Sequence, residues 1–181
     1  MDIKLLRTYD AYAKTCVDML SNVFEDHYSK EESEQEIKSL LKGKSLLYVA
    51  INKEVIGFVG AIDTSYPAAY ELHPLIVKEA WQRQGIGRKL LEVLEEDLAN
   101  KGVLTLYLGT DDECFATSLS DGDLYQDTYQ KLSCVKNYKD HPFGFYQKCG
   151  YTIVGVIPDA NGLNKPDIIM AKRLHTKNKR E

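Results

Sequence analysis

Between Gly85 and Gly102 the chain carries Ile86, Leu90, Leu91, Leu94 and Leu98 at helical spacing, opposite Arg88, Lys89, Glu92, Glu95 and Glu96. Gly102 stands where a left-handed residue ends a helix. An apolar stripe of this length has to be laid on another element, and the flanking runs say which. "YELHPLIV" before the helix and "VLTLYLGT" after it are rich in β-favouring residues and read as strands. A strand, a helix and a strand in succession require an α/β fold.

The rest of the chain extends that reading. "IKLLRTY" is a first strand, Ala11 to Phe24 a helix, and Lys30 to Leu41 a second helix closed by Gly43. "SLLYVAINKEVIGFVGAIDTSY" gives two strands around a hairpin at Asn52, Lys53 and Glu54. Pro74 cannot donate a ladder hydrogen bond, so its strand is expected to be an edge, to carry a bulge, or to part from a neighbour there. Residues 111–140 read as a long polar loop with a short helix around Leu124 to Lys131. "HPFGFYQKCG" reads as a short helix ended by Gly150, and "YTIVGVIP" and "DIIMAKRL" as closing strands. The sum is one mixed α/β sheet of about six or seven strands with flanking helices. It forms a single domain over residues 1–174, with a frayed tail over 175–181.

Composition removes several classes of function. At 181 residues, 44% hydrophobic and 28% charged, the chain suits one buried core. Its net charge of -4 gives no basic footprint for nucleic acid. The longest apolar run, "LLYVAI", is far below the roughly 18 residues of a membrane span, and the N-terminus has no secretory h-region. Cys16, Cys114, Cys134 and Cys149 form no C-x-x-C pair, and no His stands at zinc spacing, so a reduced, cytoplasmic, metal-free protein is expected.

The chemistry concentrates around "QRQGIG", Gln82 to Gly87. A helix N-terminus offers unpaired N–H groups and partial positive charge to an anion, and glycines allow close approach. Arg83, Arg88 and Lys89 add charge. The same two glycines could simply make a tight strand-to-helix turn. A dinucleotide fingerprint fails because Leu90 stands at its third glycine, and no P-loop is present.

"QRQGIG" resembles the Q/R-x-x-G-x-G/A pyrophosphate loop of the GCN5-related N-acetyltransferases (the GNAT superfamily). "YELHPLIV", "LYLGTDD", "TSLSDGDLY", "HPFGFYQKCGY", "IVGVIPDANGLNKPDI" and "MAK" are similar to blocks of the homodimeric aminoglycoside 6'-N-acetyltransferases. These blocks run from about Tyr70 to Lys172; the first seventy residues match by element order alone. The resemblance implies the GNAT fold with a splayed central strand, acetyl-CoA as cosubstrate, and homodimerisation. It places the pantetheine arm along Leu75, Ile76 and Val77, and the pyrophosphate on Gln82, Arg83, Gln84, Gly85, Ile86, Gly87 and Arg88.

Transfer of an acetyl group to an amine needs a held donor, a held acceptor, a neutral amine and an outlet for charge. A splayed strand exposes N–H groups, and that of Leu75 or Ile76 is a candidate to bind the thioester oxygen. For an amine with a pKa about two units above the working pH, deprotonation costs roughly 2.7 kcal/mol. Positioning can supply about 7–11 kcal/mol, so a carboxylate acting through water suffices. Glu71 adjoins the donor strand, and the resemblance places the family's proposed base there; a solvated or salt-bridged Glu is the plain alternative. His73 alternates with Glu71 and is expected on the same side of the strand, to bind substrate, to assist with the proton, or to hold a structural hydrogen bond. Tyr146 falls where many superfamily members place a tyrosine near the CoA sulfur, and could protonate the thiolate or be a core residue. No His or Asp pattern supports Cys149 as a nucleophile, so direct attack in a ternary complex is expected.

Two stretches lack Lys and Arg and carry carboxylates: Glu54 to Val77, with Asp63 and Glu71, and Gly102 to Gln130, with Asp111, Asp112, Glu113, Asp121, Asp123 and Asp127. Together they favour a cationic acceptor, with Glu71, Asp111 and Asp112 as the substrate-binding candidates. An aminoglycoside fits, as does another cationic amine such as a polyamine, peptide or lysine. A CoA-binding module without catalysis is a third reading, against which candidate residues at Glu71 and Tyr146 count.

Overall fold

The computed structural model describes residues 1–24 and 28–175. Of the expected tail, everything past His175 lies outside the described residues, as do Glu25, Asp26 and His27. Two compact units emerge, where the sequence reads as one domain: Met1–Leu106 together with the chain from Leu174 on, and Tyr107–Arg173.

The first unit begins with strand β1 (Asp2–Leu6), helix α1 (Ala11–Val23) and helix α2 (Lys30–Leu40). Strands β2 (Leu46–Asn52), β3 (Glu54–Asp63) and β4 (Ala69–Val77) follow, then helix α3 (Ile86–Asn100). β1 to β4 pair antiparallel in chain order. Both early helices are capped by their sequences. The Asp10 side chain accepts from the N–H groups of Tyr12 and Ala13, and Ser29 with Glu32 closes a reciprocal capping box ahead of α2. Their apolar faces meet in one core, where Cys16, Leu20, Ile37 and Leu40 pack with Leu47, Val49, Phe58 and Ile76. On α3 the stripe read from the sequence is buried: Leu90, Leu91, Leu94 and Leu98 are at most 1% exposed.

Pro74 is internal to β4 and marks a bulge. Val59 pairs with Leu75 and Ala61 with Leu72, so His73 and Pro74 together oppose the single residue Gly60. Gly60 is required at this point, because a Cβ there would lie 2.2 Å from the His73 carbonyl oxygen and 2.7 Å from Leu40 Cδ1. The contact with Leu40 puts Gly60, and with it Phe58 and Ile62, on the α2 side of the sheet. A Cβ on Gly57 would instead meet Leu90 of α3, so Val59 and its partner Leu75 face that helix. Glu71, paired with Ile62, and Ile76, paired with Phe58, therefore share the α2 side.

The second unit holds most of β5 (Thr105–Asp111), helix α4 (Thr128–Ser133), helix α5 (Phe143–Lys148), and strands β6 (Thr152–Ile157) and β7 (Asp167–Arg173). β5 starts in the first unit and runs into the second. The strands of the second unit are ordered β5-β7-β6, which with β1 to β4 makes the seven strands of the expected α/β architecture. The helix read at Leu124 to Lys131 forms somewhat later, as α4, after a 3-10 turn at Ser118–Ser120. α5 ends as expected at Gly150, at φ +90°, with the Tyr151 N–H reaching back to the Tyr146 carbonyl at 3.0 Å.

Candidate active site

The loop from Gln82 to Gly87 is held open by its own side chains. Gln82 Nε2 donates to the Val77 carbonyl and Gln84 Nε2 to the Ala80 carbonyl, each at 3.0 Å, so both glutamines brace the backbone. Arg83 and Gly85 take left-handed conformations, at φ +58° and +81°. Gly85 is the N-cap of α3, and no side chain among the described residues caps that helix. The N–H groups of its first turn, which no helical carbonyl can satisfy, are thus offered at an exposed backbone. Nothing lies within 4 Å of where a Cβ on Gly85 would stand. Exposed Arg83, Arg88 and Lys89 surround the turn. An open, uncapped, positively charged helix start fits a pyrophosphate. Ile86 contributes only its main chain, since its side chain is buried.

β4 leads into this loop, and its pairing with β3 sets the direction of its N–H groups. The Lys78 N–H donates to the Ile56 carbonyl at 2.9 Å. Antiparallel alternation then directs Ile76 toward β3 and turns the N–H groups of Leu75 and Val77 to the opposite edge. Ile76 is therefore withdrawn from the expected cofactor contacts: its main chain serves the ladder and its side chain lies in the α1–α2 core, 4% exposed. Leu75 and Val77 keep their candidacy.

Glu71 and His73 are half-buried on the same side of β4, as alternation requires before the bulge. His73 Nε2 lies 3.4 Å from Tyr28 Oη and 3.9 Å from Glu36 Oε1 on α2. No spacing rule could single out Tyr28 and Glu36, since they reach His73 only once α2 is laid on the sheet. Exposed Asp63 ends β3 in the same unit.

Within the second unit, Tyr146 is half-buried on α5, with edge-to-face contacts to Phe145 and Tyr151 at 5.1 and 5.7 Å between ring centres. Burial pushes its hydroxyl well above the ordinary tyrosine range, with Cys149 adding to the rise, so the group stays protonated. Asp111, at the end of β5, is exposed, and its carboxylate accepts from Asn161 Nδ2.

Asp112 is corrected by the structure. Its side chain is fully buried and saturated: Oδ1 accepts from the Ala116 N–H at 2.6 Å, and Oδ2 from the Thr117 N–H, Thr117 Oγ1 and Ser120 Oγ at 2.9, 2.7 and 2.7 Å. Desolvation opposes its charge, but these bonds outweigh it and hold the carboxyl below the usual range. Such a group organises residues 112–120 and has no oxygen left for a substrate cation. Two further acidic residues of the loop are tied as well, Asp121 to Tyr138 and Asp123 to Tyr125 and Gln126.

Among the described residues no group of three or more His, Cys, Asp or Glu side chains could hold a metal ion, and no helix is long and apolar enough to cross a membrane.

Comparison with known proteins identifies the family. An aminoglycoside 6'-N-acetyltransferase solved in complex with coenzyme A is 37% identical, with a TM-score of 0.92, covering 98% of this chain and 99% of that one. The aminoglycoside 6'-N-acetyltransferase from Enterococcus faecium is also 37% identical at a TM-score of 0.90, with the same coverage. An aminoglycoside 6'-acetyltransferase type Ii is 32% identical at 0.76, again over 98% and 99% of the two chains. No curated protein matches the sequence. The model of the acetyltransferase (GNAT) family matches residues 9–119, which include β4, the glycine loop and α3. By that match, and by full-length likeness to solved acetyltransferases, the chain belongs to the GNAT family of acetyltransferases.

Proposed function

We propose that this protein transfers the acetyl group of acetyl-CoA to the 6'-amine of an aminoglycoside. The observation that carries the reading is likeness over nearly the whole chain to aminoglycoside 6'-N-acetyltransferases, one of them holding coenzyme A. The uncapped start of α3, with its exposed cations, is the matching local feature.

Acetyl-CoA supplies an activated thioester; the protein's part is to hold, align and neutralise. Main-chain N–H groups of Gly85, Ile86, Gly87 and Arg88 hold the pyrophosphate, with Arg83 and Arg88 adding charge. Leu75 and Val77 present N–H groups along the pantetheine, and that of Leu75 polarises the thioester oxygen. Glu71 takes the acceptor's proton through water, and His73 steadies the acceptor beside it. Tyr146, kept protonated by burial, returns a proton to the departing sulfur. Attack is direct, without an acyl-cysteine. Asp111 and Glu71 attract the cationic acceptor. The two units act as one acetyltransferase domain over residues 1–174, in keeping with a family match that runs through Leu106. We further propose a cytoplasmic homodimer that confers aminoglycoside resistance; exposed Val154 and Ile157 on β6, the edge strand of its unit, favour self-association.

Thiol release from acetyl-CoA tests the assignment, with kanamycin, its analogue bearing a 6'-hydroxyl, spermidine and a lysine peptide as acceptors. Turnover with kanamycin and none with the hydroxyl analogue is expected. Preference for spermidine or the peptide, or silence with all four, overturns it. Glu71→Gln should lower kcat by about tenfold or more while leaving CoA affinity unchanged.

A further inference from the structure

Two polar groups converge on one nitrogen of His73. Tyr28, just ahead of the α2 cap, and Glu36, two turns into that helix, both approach Nε2, at 3.4 and 3.9 Å. Glu36 Oε1 is sealed from solvent and has no hydrogen-bond donor among the described residues. A buried carboxylate oxygen demands one. The imidazole Nε2 stands short of bonding distance by about 1 Å.

The pair also bears on the tautomer. If Nε2 carries the hydrogen it can donate to Glu36, leaving the Nδ1 lone pair as an acceptor; if Nε2 is bare, only the Tyr28 hydroxyl can serve it. The unsatisfied oxygen on Glu36 favours the first arrangement. We propose that Glu36 is a positioning residue: its carboxylate holds His73 in the Nε2–H form, so that Nδ1 accepts a hydrogen bond from an N–H of the cationic acceptor on the Glu71 side of β4. This rests on the acetyltransferase reading above.

The test is a double-mutant cycle with Glu36→Leu, His73→Ala and the two combined, measured as KM and kcat for the aminoglycoside, with CoA binding as the check on folding. Glu36→Leu is expected to raise the acceptor KM about tenfold, about 1.4 kcal/mol, with kcat nearly unchanged. In the His73→Ala background the same substitution is expected to do nothing further. An equal effect in both backgrounds, or none in either, overturns the proposal. A second readout needs no turnover: the ¹⁵N shifts of the neutral His73 ring should report hydrogen on Nε2 in the parent protein and loss of that preference in Glu36→Leu, which has no acceptor. Unchanged shifts overturn the positioning role even if aminoglycosides are acetylated. Silence toward every aminoglycoside, with the shift change present, removes the function and leaves the tautomer control standing.

Discussion

Replacing Asp112 separates a structural carboxylate from a substrate-binding one. Oδ2 accepts three hydrogen bonds and Oδ1 one. In Asp112→Asn the amide oxygen can take the Oδ2 place, which leaves the amide NH₂ facing the Ala116 N–H. Two buried donor groups, the Ala116 N–H and the new amide, then lack an acceptor, at about 1–3 kcal/mol each. Asp112→Ala strips all four donors of their acceptor, and even at the low end of that range the loss is about 4 kcal/mol. Urea unfolding at neutral pH, with CoA bound and free, reads both values. KM for the aminoglycoside should stay near that of the parent in Asp112→Asn, since the carboxylate never meets solvent. If Asp112→Asn is instead as stable as the parent while its acceptor KM rises tenfold, equivalent to about 1.4 kcal/mol of lost binding, the structural assignment fails and Asp112 returns to the substrate site.

Three further outcomes follow from other parts of the chain. Gly60→Ala should destabilise by about 1–3 kcal/mol, because the new methyl meets the His73 carbonyl and Leu40; an unfolding midpoint equal to the parent's would contradict the bulge. Gly85→Ala has room for its methyl but not the conformation, so a cost of roughly 1–2 kcal/mol should appear as a lower unfolding midpoint, and an unchanged midpoint would contradict the left-handed turn. His141 is buried, its Nδ1 accepting from the Phe143 N–H and its Nε2 lying 3.0 Å from the Asp111 carbonyl, and burial lowers its pKa below the ordinary histidine value. The unfolded chain therefore takes up the proton first. Stability should be complete above about pH 6.5 and decline below it, with a smaller slope in His141→Gln; equal slopes by pH-resolved unfolding would exclude this residue as the cause.

Much of this was open to reading from the residues because it is local. The α3 stripe, the cap at Gly102 and the glycine loop depend on spacing alone, and all stand where their residues predict. Pro74 announced an irregularity but not its kind: an edge, a parting and a bulge look alike until Gly60 is set opposite. Composition treats the acidic residues from Asp111 to Asp127 alike. Only the fold distinguishes exposed Asp111 from Asp112, whose donors at residues 116, 117 and 120 come from the turn that it closes on itself. The approach of Glu36 and Tyr28 to His73 depends on where α2 lies, which no periodicity encodes. Ile76 was misread for a related reason, because the direction of an N–H is a property of the pairing and not of the residue.

The extra residue in β4 makes chain length between Glu71 and Ile76 a functional variable. Counted straight, an odd separation puts those two side chains on opposite sides of a strand. The bulge cancels one step, so a polar half carrying Glu71 and His73 runs directly into an apolar half anchored by Ile76, along one surface. Deleting Pro74 alone would restore simple alternation. With Ile76 fixed in the core, Glu71, then four residues away, would stay on the α2 side; closing the bulge without shortening the strand would instead turn it toward the α3 side and separate the proposed base from the helix that carries Glu36. A family member without the bulge should carry one residue fewer between its polar and apolar halves to keep the same chemistry.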